Sequence, residues 1–223
     1  MERVPESQAI AEMQDARRFN QVMGGNRFRQ QEYRQLASDL CALGVPAGGK
    51  VLDVGTGTGY VALAVARQIR ERGGHVVGLE LSDAMLTMAA ENAAGAGVDG
   101  TVAWRKGDAK AMPFADAEFD AVVSLDSLHH WESPPRVFDE IARVLKPAGK
   151  CIVRDSKRLQ KWWLWLLVKT LSLSIPRDFR VHWWNSIKSS YTKSELESIL
   201  ARSRLRGWRV EQDLMGLSVI KEG

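Results

Sequence analysis

Cysteine is scarce in this chain. Cys41 and Cys151 are the only two among 223 residues, and they stand far apart without ligand-like spacing. A disulfide framework and a cysteine zinc site are therefore not expected, which suits a cytoplasmic setting. Histidine is sparse too, and no Asp or Cys cluster completes a ligand set around the adjacent pair His129 and His130, so no metal is expected. Met1 to Gly25 is charged and polar, without the continuous apolar core of a secretory leader. Long apolar runs are missing as well. Trp162 to Val168 is apolar on every side but is interrupted by Lys169, well short of the roughly 20 residues that span a bilayer. No internal repeat or low-complexity segment appears.

What is present is an ordinary globular composition. With 45% hydrophobic residues, the length suits one α/β domain with additions. The net charge of +4 is modest, but basic residues thicken between Arg154 and Lys193 and again from Arg202 to Arg209. A solvated basic face is the commonest cause; nucleic acid, an acidic substrate or an anionic membrane surface are the alternatives.

Two helices are expected first, over 6–23 and about 27–43. Phe28, Tyr33, Leu36, Leu40 and Leu43 form an apolar stripe on the second. Gly24-Gly25 should end the first, and Gly44-Val45-Pro46 the second. From Lys50 the pattern alternates: strands at 50–54, 75–80, about 101–105, 119–125 and 150–154, helices at about 59–71, from Ser82-Asp83 and over 135–145. Such alternation predicts a doubly wound parallel sheet. Lys146-Pro147-Ala148-Gly149 reads as a turn before the fifth strand. Residues 156–190 break the alternation and hold five of the eight tryptophans: Trp162, Trp163, Trp165, Trp183 and Trp184. They read as a helical insertion ending at Pro176. Tyr191 to Glu195 then caps a helix to about Ala201, and strands near 207–213 and 216–221 suggest a terminal hairpin turning at Met215-Gly216.

The chain is organised around Val51-Leu52-Asp53-Val54-Gly55-Thr56-Gly57-Thr58-Gly59-Tyr60. A buried strand breaks into alternate glycines and resumes as a helix. That arrangement cradles a nucleoside-containing ligand at the carboxyl edge of an open α/β sheet, since glycine permits positive φ and leaves no Cβ in the way. The plainer reading is a tight strand-to-helix turn. A dinucleotide fingerprint would want its third glycine at position 60, where Tyr60 stands. Asp53 is also a poor neighbour for a pyrophosphate, because like charges repel at short range. It suits a ligand bringing an ammonium or sulfonium.

The pattern Asp-x-Gly-x-Gly-x-Gly resembles motif I of the class I S-adenosylmethionine (SAM)-dependent methyltransferases. Further segments agree: Gly107-Asp108-Ala109 with Ala111-Met112-Pro113-Phe114, then Phe119 to Trp131, then Val137 to Lys150. The family usually carries Pro-Gly-Gly where this chain has Pro147-Ala148-Gly149, a departure that touches turn geometry only. The resemblance, which includes similarity to the quinone-biosynthesis branch, covers about 48–155 strongly and the terminal additions weakly. It implies a Rossmann-like sheet of about seven strands, the last antiparallel, with N-terminal lid helices over 1–47 and the Trp-rich insertion at 156–190. Residues 191–223 would complete the sheet.

The resemblance also implies roles. Asp53, Gly55, Thr56, Gly57 and Gly59 would hold the methionine moiety, Glu80 the ribose with Leu81 and Met85 beside it, and Asp108 with Ala109 the adenine. Leu125 would lie near the transferable methyl. Asp126, His129 and His130 are the catalytic candidates, histidine because it titrates near neutrality; local hydrogen bonding is the plainer role for the paired histidines. The implied activity is in-line methyl transfer to a small apolar or aromatic acceptor. A SAM-binding accessory subunit and a nucleic-acid methyltransferase are the alternatives. The second is disfavoured because no Asn-Pro-Pro-Tyr or Pro-Cys stretch follows the fourth strand. The insertion is expected to wall the acceptor pocket and to serve a homodimer interface, with membrane-surface contact ranked lower.

Overall fold

The computed structural model describes residues 3, 10–98, 100–159, 169–170 and 177–223. Seven strands form one sheet: β1 (Lys50–Val54), β2 (His75–Glu80), β3 (Val102–Lys106), β4 (Phe119–Leu125), β5 (Leu145–Ser156), β6 (Trp208–Gln212) and β7 (Gly216–Lys221). Their order is β3-β2-β1-β4-β5-β7-β6. Strands β1 to β5 run parallel, whereas β7 lies antiparallel between β5 and β6. Seven helices are described: α1 (Met13–Gly25), α2 (Arg27–Ala42), α3 (Tyr60–Ile69), α4 (Asp83–Ala94), α5 (Pro134–Val144), α6 (Arg177–Ser189) and α7 (Lys193–Ala201). This is the Rossmann-like α/β fold that the alternation of strand and helix predicted.

The sheet is covered on both faces, and its side chains show why. Along β1, Leu52 and Val54 enter a core with Val137, Phe138 and Ile141 of α5 and Leu196, Ile199 and Leu200 of α7. Val51, one step out of phase, enters the opposite core with Leu36, Ala37 and Leu40 of α2 and the buried face of α3. Strand β4 repeats the division, Val122 on the first side and Ala121, Val123 and Leu125 on the second. Side chains alternate across a strand, so a strand buried on both faces must be apolar throughout. The order reverses between β1 and β4, which places the switch point at the carboxyl ends of those two strands.

Three expectations are corrected. Helix α1 begins at Met13, with Glu12 in extended conformation before it, rather than at residue 6; residues 4–9 lie outside the described set. Nor does Gly24-Gly25 stop it: both glycines are helical, and Asn26 ends α1 while its side chain accepts from the Phe28 and Arg29 N–H groups to start α2. A Cβ on Gly24 would stand 2.2 Å from the Tyr60 hydroxyl, so close approach to α3 explains that glycine. Strand β5 is longer than 150–154. Leu145 pairs Phe119 and Lys150 pairs Ala121, so the expected turn at 146–149 is a bulge inside the strand. Trp162, Trp163, Trp165 and Pro176 of the expected insertion lie outside the described residues, as do the side-chain contacts of Trp183; Trp184 packs on Leu159 and Ile187.

Candidate functional site

At the switch point Asp53 stands one residue before the end of β1 and is 1% exposed. Its Oδ2 accepts a hydrogen bond of 2.6 Å from the Thr56 hydroxyl. Burial pushes its carboxyl up to about 7; the Thr56 hydroxyl and the Ala62 backbone pull the other way, and Glu80 adds to the rise. The loop that follows is pinned by the Gly55 and Thr56 N–H groups donating to the Leu79 carbonyl at 2.9 and 3.0 Å.

The three loop glycines have different reasons. Gly55, at φ 69°, would drive a Cβ to 2.1 Å from the Ser127 Oγ, the hydroxyl that also accepts from the Trp131 indole N–H at 2.9 Å. Gly59, at φ 84°, would strike the Trp104 ring at 2.6 Å, and it does not line the cavity described below. Its need is packing between α3, α4 and β3. Gly57, at φ 55°, has no atom within 4 Å of where a Cβ would stand. It lines the cavity, so there the bare backbone leaves room for a ligand.

Glu80 closes the other side of the loop. Its Oε2 accepts from the Gly57 N–H at 3.0 Å, and its Oε1 from the Leu81 and Ser82 N–H groups at 2.8 and 3.0 Å. The side chain thus ties the glycine loop to the start of α4, which Ser82 caps. A carboxylate has about four acceptor positions, so one stays open for a hydroxyl. Asp108 accepts from the Lys110 N–H at 2.8 Å, and the Lys110 ammonium bridges to Glu132 across the cavity edge.

Around these groups lies a cavity of about 1130 Å³. Asp53, Gly55, Thr56, Gly57, Glu80, Leu81, Met85, Asp108, Ala109 and Leu125 line it, and so do Asp126, His129 and His130. Of the site residues expected from sequence only Gly59 stands apart. The roof comes from α1 and α2, through Phe19, Val22, Met23, Arg29 and Tyr33. Helix α1 is fastened to α4 by Ala16 against Ala84, Met85 and Met88, and by an Asn20–Asn92 amide pair. Tyr33 stacks on Tyr60 at 5.5 Å between ring centres.

The far wall holds the catalytic candidates. Asp126 takes φ 50°, rare for a residue with a side chain, and its carboxylate bonds the Arg29 guanidinium at 2.7 Å. His129 is 2% exposed and clamped by Asp155, which accepts from its backbone N–H at 2.8 Å and meets its Nδ1 at 2.7 Å. Burial raises the Asp155 carboxyl, while His129 opposes the rise. The His130 ring lies 4.0 Å from that of His129. Burial, reinforced by His129, pushes His130 down to about 3 against the pull of Asp126. It is therefore neutral at physiological pH and a weak base.

Arg29 and Asp155 were not singled out in the sequence, and Tyr33 was read only as part of an apolar stripe. Asp155 carried a usable signal, because it stands at the carboxyl end of a parallel strand, where such folds place their sites. Arg29 carried none, being one of several basic residues on an amphipathic helix. Among the described residues no group of three His, Cys, Asp or Glu could hold a metal ion, and no helix is long and apolar enough to cross a membrane.

Comparison with known proteins bears on residues 52–153, which match a family model described as "Methyltransferase domain". Over 113 residues the chain is 38% identical to the ubiquinone/menaquinone biosynthesis C-methyltransferase UbiE of Desulfotalea psychrophila, covering 51% of this chain and 44% of that one. It is 34% identical over 131 residues to methyltransferase GfsG of Streptomyces halstedii, covering 59% and 44%. The chain thus spans under half the length of these curated relatives. A SAM-dependent methyltransferase from Aquifex aeolicus superposes with a TM-score of 0.69 at 20% identity, over 95% of this chain and 98% of the other, a likeness of fold.

Proposed function

We propose, from the match of residues 52–153 to a methyltransferase-domain model and from the site's geometry, that this chain is a class I SAM-dependent methyltransferase that methylates a small, largely apolar or aromatic acceptor. The observation that carries the reading is a single cavity of about 1130 Å³ lined both by the glycine loop with its acids and by the apolar roof. A site for one small molecule usually takes some 300–1,000 Å³, so there is room for a second ligand beside the cofactor.

The residues fit the cofactor. Gly57 offers bare backbone at positive φ, and Asp53 offers a buried carboxylate without a cationic partner among the described residues. SAM would supply a sulfonium methyl open to in-line displacement. Asp53 would receive the ammonium, the open acceptor position of Glu80 a ribose hydroxyl, and Asp108 with the Ala109 N–H the adenine edge. The chain's part in the reaction is positioning and removal of water. Phe19, Val22 and Met23 close the cavity from above, and Leu125 and Trp131 bound it near the expected methyl. His130 contributes shape and a neutral ring rather than a strong base, because its basicity is depressed. This favours acceptors that are nucleophilic without losing a proton to a base of pKa near 7. UbiE is named as a C-methyltransferase, which supports an apolar ring as the body of the acceptor.

The test is formation of S-adenosylhomocysteine (SAH) from SAM in the presence of hydroquinones, phenols and amines of similar size. Turnover with at least one class supports the reading. SAH formation with none of them, despite SAM binding, would favour an accessory, non-catalytic subunit.

A further inference from the structure

Helix α6 ends against the turn that carries the histidines. Arg3 fastens the two, donating to the Ser189 carbonyl at 2.6 Å and to the His129 carbonyl at 3.1 Å, with its guanidinium over the Tyr191 ring. One turn apart on this end of α6, Asn185 and Lys188 line the same cavity. Neither side chain has a hydrogen-bond or ion-pair partner among the described residues. Every other cation of the cavity is engaged: Arg29 by Asp126 and Glu32, Lys110 by Glu132, and Arg18 as well.

The charges in the cavity are divided by position. Asp53, Glu80 and Asp108 lie along the end expected to hold the cofactor and would repel an anion there. Of the other acids lining the cavity, Glu132 is paired with Lys110, and Glu12 and Asp15 stand at the start of α1, where the Ile10 carbonyl is bonded to Ser82 of the α4 cap. At the opposite wall the charge of Asp126 is compensated by Arg29, and the His130 ring is neutral. An ammonium there offers three donors and no acceptor, and the amide one turn away can add the two donors of its NH2 group, which favours an anionic partner. The geometry points to Asn185 and Lys188 as a subsite for an acidic group on the methyl acceptor, which is then an apolar molecule bearing one carboxylate or phosphate. This deepens the methyltransferase reading and rests on it.

The test uses the full chain saturated with SAH and three probes of one size, benzoate, phenyl phosphate and benzyl alcohol, titrated by ligand-observed NMR. One or both anions should bind about tenfold more tightly than the alcohol, the size expected of hydrogen bonds to a charged group. Whichever anion binds more tightly names the acidic group. Lys188→Met should reduce the preference to under about twofold and Lys188→Arg should keep it, with SAH affinity unchanged in both. Equal binding of the alcohol, or a preference that survives Lys188→Met, would overturn the proposal. So would a tenfold loss of SAH affinity in Lys188→Met, which would assign the ammonium to the cofactor's own carboxylate. Failure of the wild type to bind SAH would overturn the methyltransferase reading, and the subsite with it.

Discussion

Asp53 sits in surroundings that oppose its charge until a cation arrives. Burial lifts its pKa from 3.8 to about 7, so the folded protein holds this proton over a range in which the unfolded chain has released it. Stability from this group is therefore present below about pH 4 and is lost as pH rises toward 7. Asp53→Asn should raise the melting temperature of the ligand-free protein at pH 8, at about 2–4 °C per kcal/mol for a chain of this size, and leave it unchanged near pH 4. The same substitution should remove a rise in SAM affinity that the wild type shows as pH increases through about 7. An affinity independent of pH in the wild type would contradict the placement of an ammonium at Asp53. His130 works in the reverse sense: its pKa of about 3 makes the folded state lose stability as pH falls below 6.5, where the unfolded chain takes up a proton. For catalysis this means that His130→Ala should lower kcat by less than about tenfold, below the usual contribution of a general base. Its kcat profile from pH 6 to 9 should match that of the wild type. An inflection lost with the histidine would restore His130 as the base.

At the scale of elements, the roof over the cavity is held by contacts between distant parts of the chain. Helix α2 buries Tyr33, Leu36, Ala37 and Leu40 on the sheet and sends Arg29 to Asp126 and Asp39 to Arg154, so two ion pairs fasten it to the carboxyl ends of β4 and β5. Arg29→Met should leave Asp126 half-buried without its partner in a conformation already unfavourable for a residue with a side chain. A cost of about 2 kcal/mol is expected, together with weaker SAH binding, both read by thermal melting with and without ligand; an unchanged melting temperature would show that the ion pair is incidental. Much of this architecture could be read in advance. Strands β2, β4 and β7 lie where their apolar patterns put them, and Thr192 and Glu195 form the reciprocal cap that Tyr191 to Glu195 suggested. These features are local, set by periodicity and capping. The start of α1, the bulge in β5 and the clamp of Asp155 on His129 were not legible, because each depends on a partner far along the chain. The glycine loop was half legible: the need for positive φ showed in its spacing, whereas the contact of Gly59 with Trp104 did not.

For the whole molecule, the sheet order sets the site. Reversal between β1 and β4 opens a crevice at the carboxyl ends of these strands, beside Asp53 and Leu125, and α1, α2 and α6 contribute to its lining. The acids of the glycine loop, of β2 and of the turn after β3 give this crevice a negative end within a chain of net charge +4. A cationic cofactor is favoured there and a pyrophosphate is opposed. Calorimetric titration of SAM, SAH and NAD into the 223-residue chain, with Gly57→Val alongside, tests that contrast. Micromolar binding of SAM and SAH is expected, about −8 kcal/mol, with no heat from NAD and loss of SAM binding in Gly57→Val while the fold is retained. Binding of NAD without SAM, or undiminished SAM affinity in Gly57→Val, would contradict it.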